Sequence, residues 1–329
     1  MDIEFSRVML EAGLNTLIQN EIETILAPLS GYAGLYDLVR EPLAKMRQDL
    51  SVKSAKDVDG RAWRFLPLIV CDVICGRYEH VLPVVASLEL LNTAAEVFDD
   101  IEDADSAESM SAKHGSPLAI NAASTLIILA ESAFTRLKNR GVDSDIIVNL
   151  IATVNSYYTT TCTGQHLDLS LTSEQTVSEE VYLKVIAMKS ASVVECACHT
   201  GALLAKANRD LIELFKGFGH NLGMASQIAN DIKGVTSLRD IRKRKITLPA
   251  IYALSQTDGE THSLLEMAFY KPTIEFVYTP EQIRDLLFSS GAIQYAMIRM
   301  ELYKQQALDI LAELERADVK VEQLRLFLE

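Results

Sequence analysis

The 329-residue sequence predicts an all-α protein folded as a single domain, 1–329. Three observations support this. Glycine and proline are sparse, at 15 and 8 residues, so long helices run uninterrupted. Runs in which β-branched residues alternate with polar ones are rare. No internal repeat, low-complexity stretch or Pro/Gly-rich linker divides the chain.

Taken in order, residues 1–50 read as two N-terminal helices, broken near Ala27-Pro28 and Ser30-Gly31. Leu14, Leu17, Ile22, Ile25 and Leu26 supply an apolar face for packing or dimer contact. Residues 51–60 form a polar connector. The next helix, RFLPLIVCDVICG, is nearly all apolar and ends at Gly76. Its entry turn carries Arg61, Trp63 and Arg64, either as a solvated turn or as an anion contact. Residues 106–117 read as a polar loop holding Lys113, His114 and Gly115. Helices follow at 117–137, 144–169, 178–206 and 208–235. The last is trailed by a basic loop, LRDIRKRKITLP, and by amphipathic C-terminal helices over 246–329.

Charge and composition narrow the function. A net charge of −14 argues against nucleic acid and anionic membrane surfaces as partners. The start, MDIEFSRVML, is acidic where a secretory signal is basic. No unbroken run of about 20 apolar residues is present to cross a bilayer. A cytoplasmic protein is expected, with its five cysteines reduced and packed in the core. Cys196 and Cys198 point about 200° apart on a helix, which suits no common zinc pattern.

The most informative stretch is SLELLNTAAEVFDDIEDAD, residues 87–105. On a helix, Glu89, Asn92, Glu96, Asp99, Asp100 and Asp103 fall in one sector roughly 100° wide. Leucine, valine, alanine and phenylalanine flank it on both sides, so the helix is buried. Its acidic stripe then requires a cation or an enclosed polar ligand, because unpaired carboxylates resist burial. Mg²⁺ bound to one or two carboxylates and to phosphate oxygens meets that need. A second polar stripe, His220, Gln227, Asn230 and Asp231, recurs on the 208–235 helix. Lys189 lies in an apolar stretch, VIAMKSASVV, and needs a carboxylate or a phosphate as partner. The two stripes, with lysines between them and a basic loop above, describe an apolar-walled pocket for a diphosphate with a hydrocarbon tail, bridged by Mg²⁺.

Over roughly residues 55–255 the chain resembles the trans-isoprenyl diphosphate synthases, or polyprenyl synthetases. The likeness rests on LELL…DDIED, Gly164-Gln165…Asp168, Tyr182…Lys189-Ser190, Gln227-Ile228-Ala229-Asn230-Asp231 and Lys245-Ile246-Thr247-Leu248-Pro249, in the family's order. It implies an antiparallel helical bundle around a deep central cavity, usually as a homodimer, acting on an allylic prenyl diphosphate with up to three Mg²⁺. By that resemblance Asp99 and Asp103 bind two metal ions with Asp100 in support, and Asn230 and Asp231 serve a third. Lys189, Gln227 and Lys245 hold the allylic diphosphate, with Gln165 and Asp168 beside them. Ala94 and Ala95, one turn below Asp99, leave room for more than a C15 tail or else allow close helix packing.

The departures from the family pattern concern the second substrate. Chain-elongating members hold isopentenyl diphosphate with a lysine, two arginines and a histidine; here those places carry Trp63, Leu66, His114 and Asn92. A further family arginine is Lys113, while Arg64 and a spare Arg61 remain. Each lost charge-assisted hydrogen bond weakens binding by roughly 1.5–3 kcal/mol. The second motif keeps only Asn230 and Asp231, with Gly234 where a carboxylate is usual. The resemblance therefore implies ionisation of an allylic diphosphate with an acceptor other than isopentenyl diphosphate. That acceptor is a peptide, as in the branch that prenylates a tryptophan of pheromone precursors, or a small molecule. Ordinary chain elongation, terpene cyclisation and a non-catalytic subunit are the alternatives. Gly234 and Leu238 stand where terpene synthases have Ser and Glu.

Overall fold

The computed structural model describes the backbone of residues 2–51, 62–103, 108–171, 177–270 and 278–329. It describes the side chains of residues 13–44, 63–102, 108–171, 177–270 and 278–329. Among them every regular element is helical. Two compact units form, Met1–Thr153 with Thr200–Asn208, and Val154–His199 with Arg209–Glu329.

The first unit contains α1 (Asp2–Leu26), α2 (Ala33–Ser51), α3 (Leu66–Cys75), α4 (Leu82–Asp103), α5 (Met110–His114) and α6 (Ser116–Ala133). The start of α7 (Ser144–Ser170) also belongs to it. Its core is α4, which packs chiefly on α6 and also on α1, α2 and α3. Val84, Val85, Leu88, Leu90, Leu91, Ala94 and Val97 are all buried, so the helix is covered around most of its circumference, as its sequence requires. Each buried Leu or Val contributes about 1.5–3 kcal/mol. Ala119, Ala122, Ala123 and Ala130 of α6 are buried as well, and their small side chains bring the two helices close. Glu21 of α1 is also buried. Arg136 and Arg140 answer its charge at 2.6 and 2.8 Å, which such a burial needs.

Three details differ from the sequence reading. Residues 110–114 form a helical turn within the expected loop, because Ser109 Oγ accepts the Ala112 N–H at 3.1 Å and caps it. Of the five cysteines expected in the core, Cys162 is exposed and Cys75 half-buried, with His80 Nε2 3.6 Å from the buried Cys71 Sγ. Two helical stretches, residues 79–102 and 116–140, are long and apolar enough to cross a membrane by length and composition. Their alanines keep mean hydropathy high without an unbroken apolar run. The first is 78% buried inside the protein, as befits a core helix, and the second 44%.

The second unit holds the rest of α7, then α8 (Glu179–Ile186), most of α9 (Ser192–Leu204), α10 (Arg209–Thr236), α11 (Arg239–Arg242) and α12 (Leu248–Gln256). It continues with α13 (Gly259–Tyr270), α14 (Pro280–Ser289), α15 (Ala292–Arg316) and α16 (Glu322–Arg325). Its principal pair is α10 against α15, joined by α12. Met224 and Ile228 of α10 meet Tyr182, Leu248 and Ala296 in one apolar cluster. Val235, Ile241, Leu265, Ile283 and Leu287 form another toward the C-terminus. Caps fix the helix starts: Ser178 accepts from Val181 N–H, and Thr279 and Gln282 form a reciprocal capping box.

Here too the sequence reading is refined. The 178–206 helix is interrupted by a π-helical turn at Ala187–Ala191. The basic stretch after α10 is not a loop throughout: it contains α11, where Asp240 and Ile241 are buried.

Candidate functional site

In the first unit, Asp99 and Asp100 are half-buried on α4. Asp103 lies on the same helix one turn after Asp99, and its side chain is outside the described residues. Two turns or more upstream, Glu89 is 3% exposed, with Arg64 Nη1 3.5 Å from its Oε2. The Arg64 guanidinium also donates to Asn15 Oδ1 and stacks 4.7 Å from the Phe65 ring centre. Arg64 is thus committed to the interior of this unit. Asn92 turns back on its own helix, donating to the Leu88 carbonyl at 2.7 Å. Ala94 is buried while Ala95 is exposed, since neighbours on a helix point about 100° apart.

The remaining cations after the first motif are held by α2. His114 Nε2 is 2.6 Å and Lys113 Nζ 3.4 Å from the two Glu41 carboxylate oxygens, and Lys113 is also 3.8 Å from Glu108. Burial pushes the Glu41 carboxyl upward, but His114 and Lys113 outweigh it and hold the group below the usual range. Trp63 is half-buried and Leu66 fully buried. Arg61 lies outside the described residues.

In the second unit the predicted residues gather around the π turn. Lys189 sits within it, and Nζ is 2.8 Å from Asp168 Oδ2 of α7. Gly164 explains why α7 can come so close. A Cβ at 164 would stand 2.5 Å from the Lys189 nitrogen, so only glycine fits. On α10, Gly223 does the same for Ala191, whose Cα would lie 2.6 Å from an added Cβ. The π turn is wedged between two glycines. Such wide turns inside α-helices frequently mark functional sites. Gln165 follows Gly164 and is half-buried.

The same turn connects to the second motif. Ser190 Oγ donates to Gln227 Oε1 at 2.9 Å, and Gln227 Nε2 donates to Asp231 Oδ1 at 2.8 Å. Tyr182 of α8 donates its hydroxyl to Asp231 Oδ2. Asp231 is 2% exposed, and burial pushes its carboxyl up to about 6, against the pull of the Tyr182 hydrogen bond and the Lys245 charge. Asn230 is half-buried, within 3.4 Å of Arg239 Nη2 through Oδ1. Lys245 is exposed, its backbone N–H bound to the Asp240 carbonyl at 2.8 Å. His220 instead joins a separate network, 3.5 Å from Glu195, whose other oxygen accepts from Tyr157 at 2.8 Å. Cys196 and Cys198 are buried core residues.

Sequence reasoning missed the wedging role of Gly164 and the Tyr182–Asp231 contact. The signal was present: a glycine directly before a polar stripe residue, and a tyrosine one helix turn pair before Lys189. The donor set suits Mg²⁺, a hard cation that takes oxygen ligands. Asp231 in particular is a buried carboxylate whose ionisation the protein alone resists, and a bound cation would favour it.

Comparison with known proteins places these residues in a family. The sequence model of the polyprenyl synthetase family matches residues 49–275. A geranylgeranyl diphosphate synthase of Sulfolobus acidocaldarius is 32% identical over 58% of this chain, and the match spans 62% of that enzyme's length. The tryptophan prenyltransferase ComQ of Bacillus spizizenii is 26% identical over 70% of this chain and 80% of that protein. In fold, the chain is similar to geranylgeranyl pyrophosphate synthetase from Pyrococcus horikoshii, with a TM-score of 0.81, 22% identity, and coverage of 99% of this chain and 95% of that one. The chain belongs to the polyprenyl synthetase family, whose members are prenyltransferases with an all-α fold.

Proposed function

We propose that this protein ionises an allylic prenyl diphosphate with Mg²⁺ and transfers the prenyl cation to an acceptor other than isopentenyl diphosphate. One observation carries the choice of acceptor. At the places where chain-elongating relatives are expected to hold that substrate's diphosphate, Leu66 is in the core, Asn92 bonds its own helix, and Lys113 and His114 share Glu41. A second diphosphate would have to displace Glu41 from both cations.

The allylic half-site is retained. Asp99 and Asp103, with Asp100 in support, and Asn230 with Asp231 are the metal ligands of this reading. Bound Mg²⁺ supplies charge neutralisation for the departing pyrophosphate. Lys189, pre-oriented by Asp168 on a turn fixed by Gly164, and Lys245 hold its oxygens; Gln227 and Gln165 complete the set. Apolar surroundings keep water from the cation that remains on carbon. Of the acceptors, a peptide is favoured by the likeness to ComQ, named for prenylating tryptophan. Ile120, Ile127 and Ile128 of α6 and Val148 of α7 are exposed, which supports a homodimer covering them.

Chain elongation is the second reading, favoured by the likeness to geranylgeranyl diphosphate synthases. Incubation of the purified chain with Mg²⁺ and farnesyl diphosphate is expected to release pyrophosphate. Asp99→Asn and Asp103→Asn are each expected to abolish that release. Near-normal activity in either contradicts the metal assignment, and silence of the wild-type protein with every C10–C20 allylic diphosphate supports a non-catalytic subunit instead.

A further inference from the structure

Three side chains at the end of α3 form a cluster that the prenyl-transfer site does not use. Cys71 and Cys75 stand at i and i+4, and so on one helix face, with their sulfurs 3.7 Å apart. His80, from the 3₁₀ turn Glu79–Val81, brings Nε2 to 3.6 Å from Cys71 Sγ and to 3.4 Å from the Leu204 carbonyl. All three lie outside the motifs that carry the family resemblance.

The two sulfurs are unequal. Cys71 is fully buried, and burial together with the neighbouring Cys75 sulfur holds its thiol proton well above the usual range. Cys75 is half-buried and is followed by Gly76 and Arg77, both exposed. It is the last residue of α3: Gly76 caps the helix at a left-handed φ of 68°, and the Cys75 thiol donates to the Arg77 carbonyl at 3.4 Å. A small oxidant from solvent therefore meets Cys75 first, with Cys71 beside it. Helix geometry sets Cα atoms four residues apart at about 6.2 Å, within the roughly 4.4–6.8 Å that a disulfide spans. The Cβ atoms start about 5–6 Å apart and must reach about 3.5–4.5 Å. The last turn supplies that movement by loosening, because the helix ends at Gly76 and no further turn has to follow.

We propose that Cys71 and Cys75 are a modification site for hydroperoxides, closing a reversible disulfide with His80 as the proton acceptor for Cys71. In the first step the Cys75 sulfur attacks the peroxide. An S–O bond forms, the O–O bond breaks, and the second oxygen leaves with the thiol proton as water or an alcohol. Cys75 is then a sulfenic acid. In the second step Cys71 gives its proton to Nε2 of the Nδ1–H tautomer, and the new N–H faces the Leu204 carbonyl. The Cys71 thiolate attacks the Cys75 sulfur, the S–S bond forms, and the S–O bond breaks. The departing hydroxide takes the proton from His80 and leaves as water. Two thiols lose two electrons, and one hydroperoxide is reduced.

The test is made on the intact chain carrying Cys162→Ser, which removes the exposed cysteine. The protein is treated with hydrogen peroxide, alkylated and digested with trypsin. Cleavage after Arg64 and Arg77 places both cysteines on one peptide, residues 65–77. That peptide is expected to lose two hydrogens and both alkylation sites, and to regain both sites after treatment with dithiothreitol. Cys71→Ala is expected to leave Cys75 as a sulfenic acid that dimedone traps. His80→Gln is expected to slow disulfide formation about tenfold or more, with a matching rise in the trapped sulfenic acid. A peptide that stays fully alkylated, or in which Cys75 passes to sulfinic acid without a disulfide, overturns the proposal. An unchanged rate in His80→Gln overturns the assignment of His80. The measurement on the pair needs no change at positions 71, 75 or 80, so it decides even where those variants fail to fold.

Discussion

Asp231, a metal ligand in the proposed reading, is a buried group whose ionisation the fold itself opposes. Its carboxyl titrates near 6 in the metal-free fold, against about 3.9 in an unfolded chain. The unfolded state therefore releases this proton first. Folding stability falls as pH rises from about 4 to about 6, and the full cost persists above that, roughly 3 kcal/mol by linkage. Asp231→Asn keeps an acceptor for Tyr182 and removes the charge. In chelator-treated protein it is expected to be more stable than wild type at pH 7 by up to about 3 kcal/mol, with the difference shrinking toward pH 4.5. Denaturant unfolding at the two pH values measures this; a destabilised variant at pH 7 would show that Asp231 contributes structure rather than a metal site. Leu66 makes the opposite point. It is fully buried, so restoring the family's charge with Leu66→Arg is expected to cost about 3 kcal/mol or more. The combination Trp63→Lys/Leu66→Arg/Asn92→His is therefore expected to lower the unfolding midpoint without gaining use of isopentenyl diphosphate, and a stable, elongating variant would contradict the burial argument.

At the scale of elements, the π turn at Ala187–Ala191 organises the second unit's candidate site. It widens the helix just where α7 and α10 press on it through Gly164 and Gly223. Gly164→Ala is expected to destabilise by about 1–3 kcal/mol and to loosen the Lys189–Asp168 pair, raising KM for the allylic substrate more than it lowers kcat. Unfolding and steady-state kinetics check both parts; an unchanged KM separates the turn from substrate binding. The helix itself was legible from apolar periodicity, and so were Lys189, Asp168, Gln227 and Asp231 as polar residues in apolar stretches. The π turn was not, because one inserted residue leaves periodicity on either side intact. Nor was α5, where a lone Ser109 cap converts a polar stretch into a helical turn. The burial of Asp240 was hidden for a different reason: it sits in a run of basic residues that reads as a loop, and only the return of α11 onto α10 buries it.

At the scale of the molecule, the proposed reading asks a chain of net charge −14 to admit an anionic substrate. In the second unit, that reading assigns the task to Lys189 and Lys245. In the first, Arg64, Lys113 and His114 are drawn to Glu89 and Glu41. Family membership was legible from five motifs in order, and the departures at Trp63, Leu66, Asn92 and His114 already pointed to the proposed loss of the second diphosphate site; the pairing of Lys113 and His114 with Glu41 adds to that reading and is displayed by no sequence pattern. Product analysis by mass spectrometry tests the central claim most directly. The purified chain is given Mg²⁺ and each C10–C20 allylic diphosphate, with and without isopentenyl diphosphate. The account predicts pyrophosphate release and prenyl-derived products that isopentenyl diphosphate leaves essentially unchanged; efficient growth to one defined longer prenyl diphosphate would contradict it.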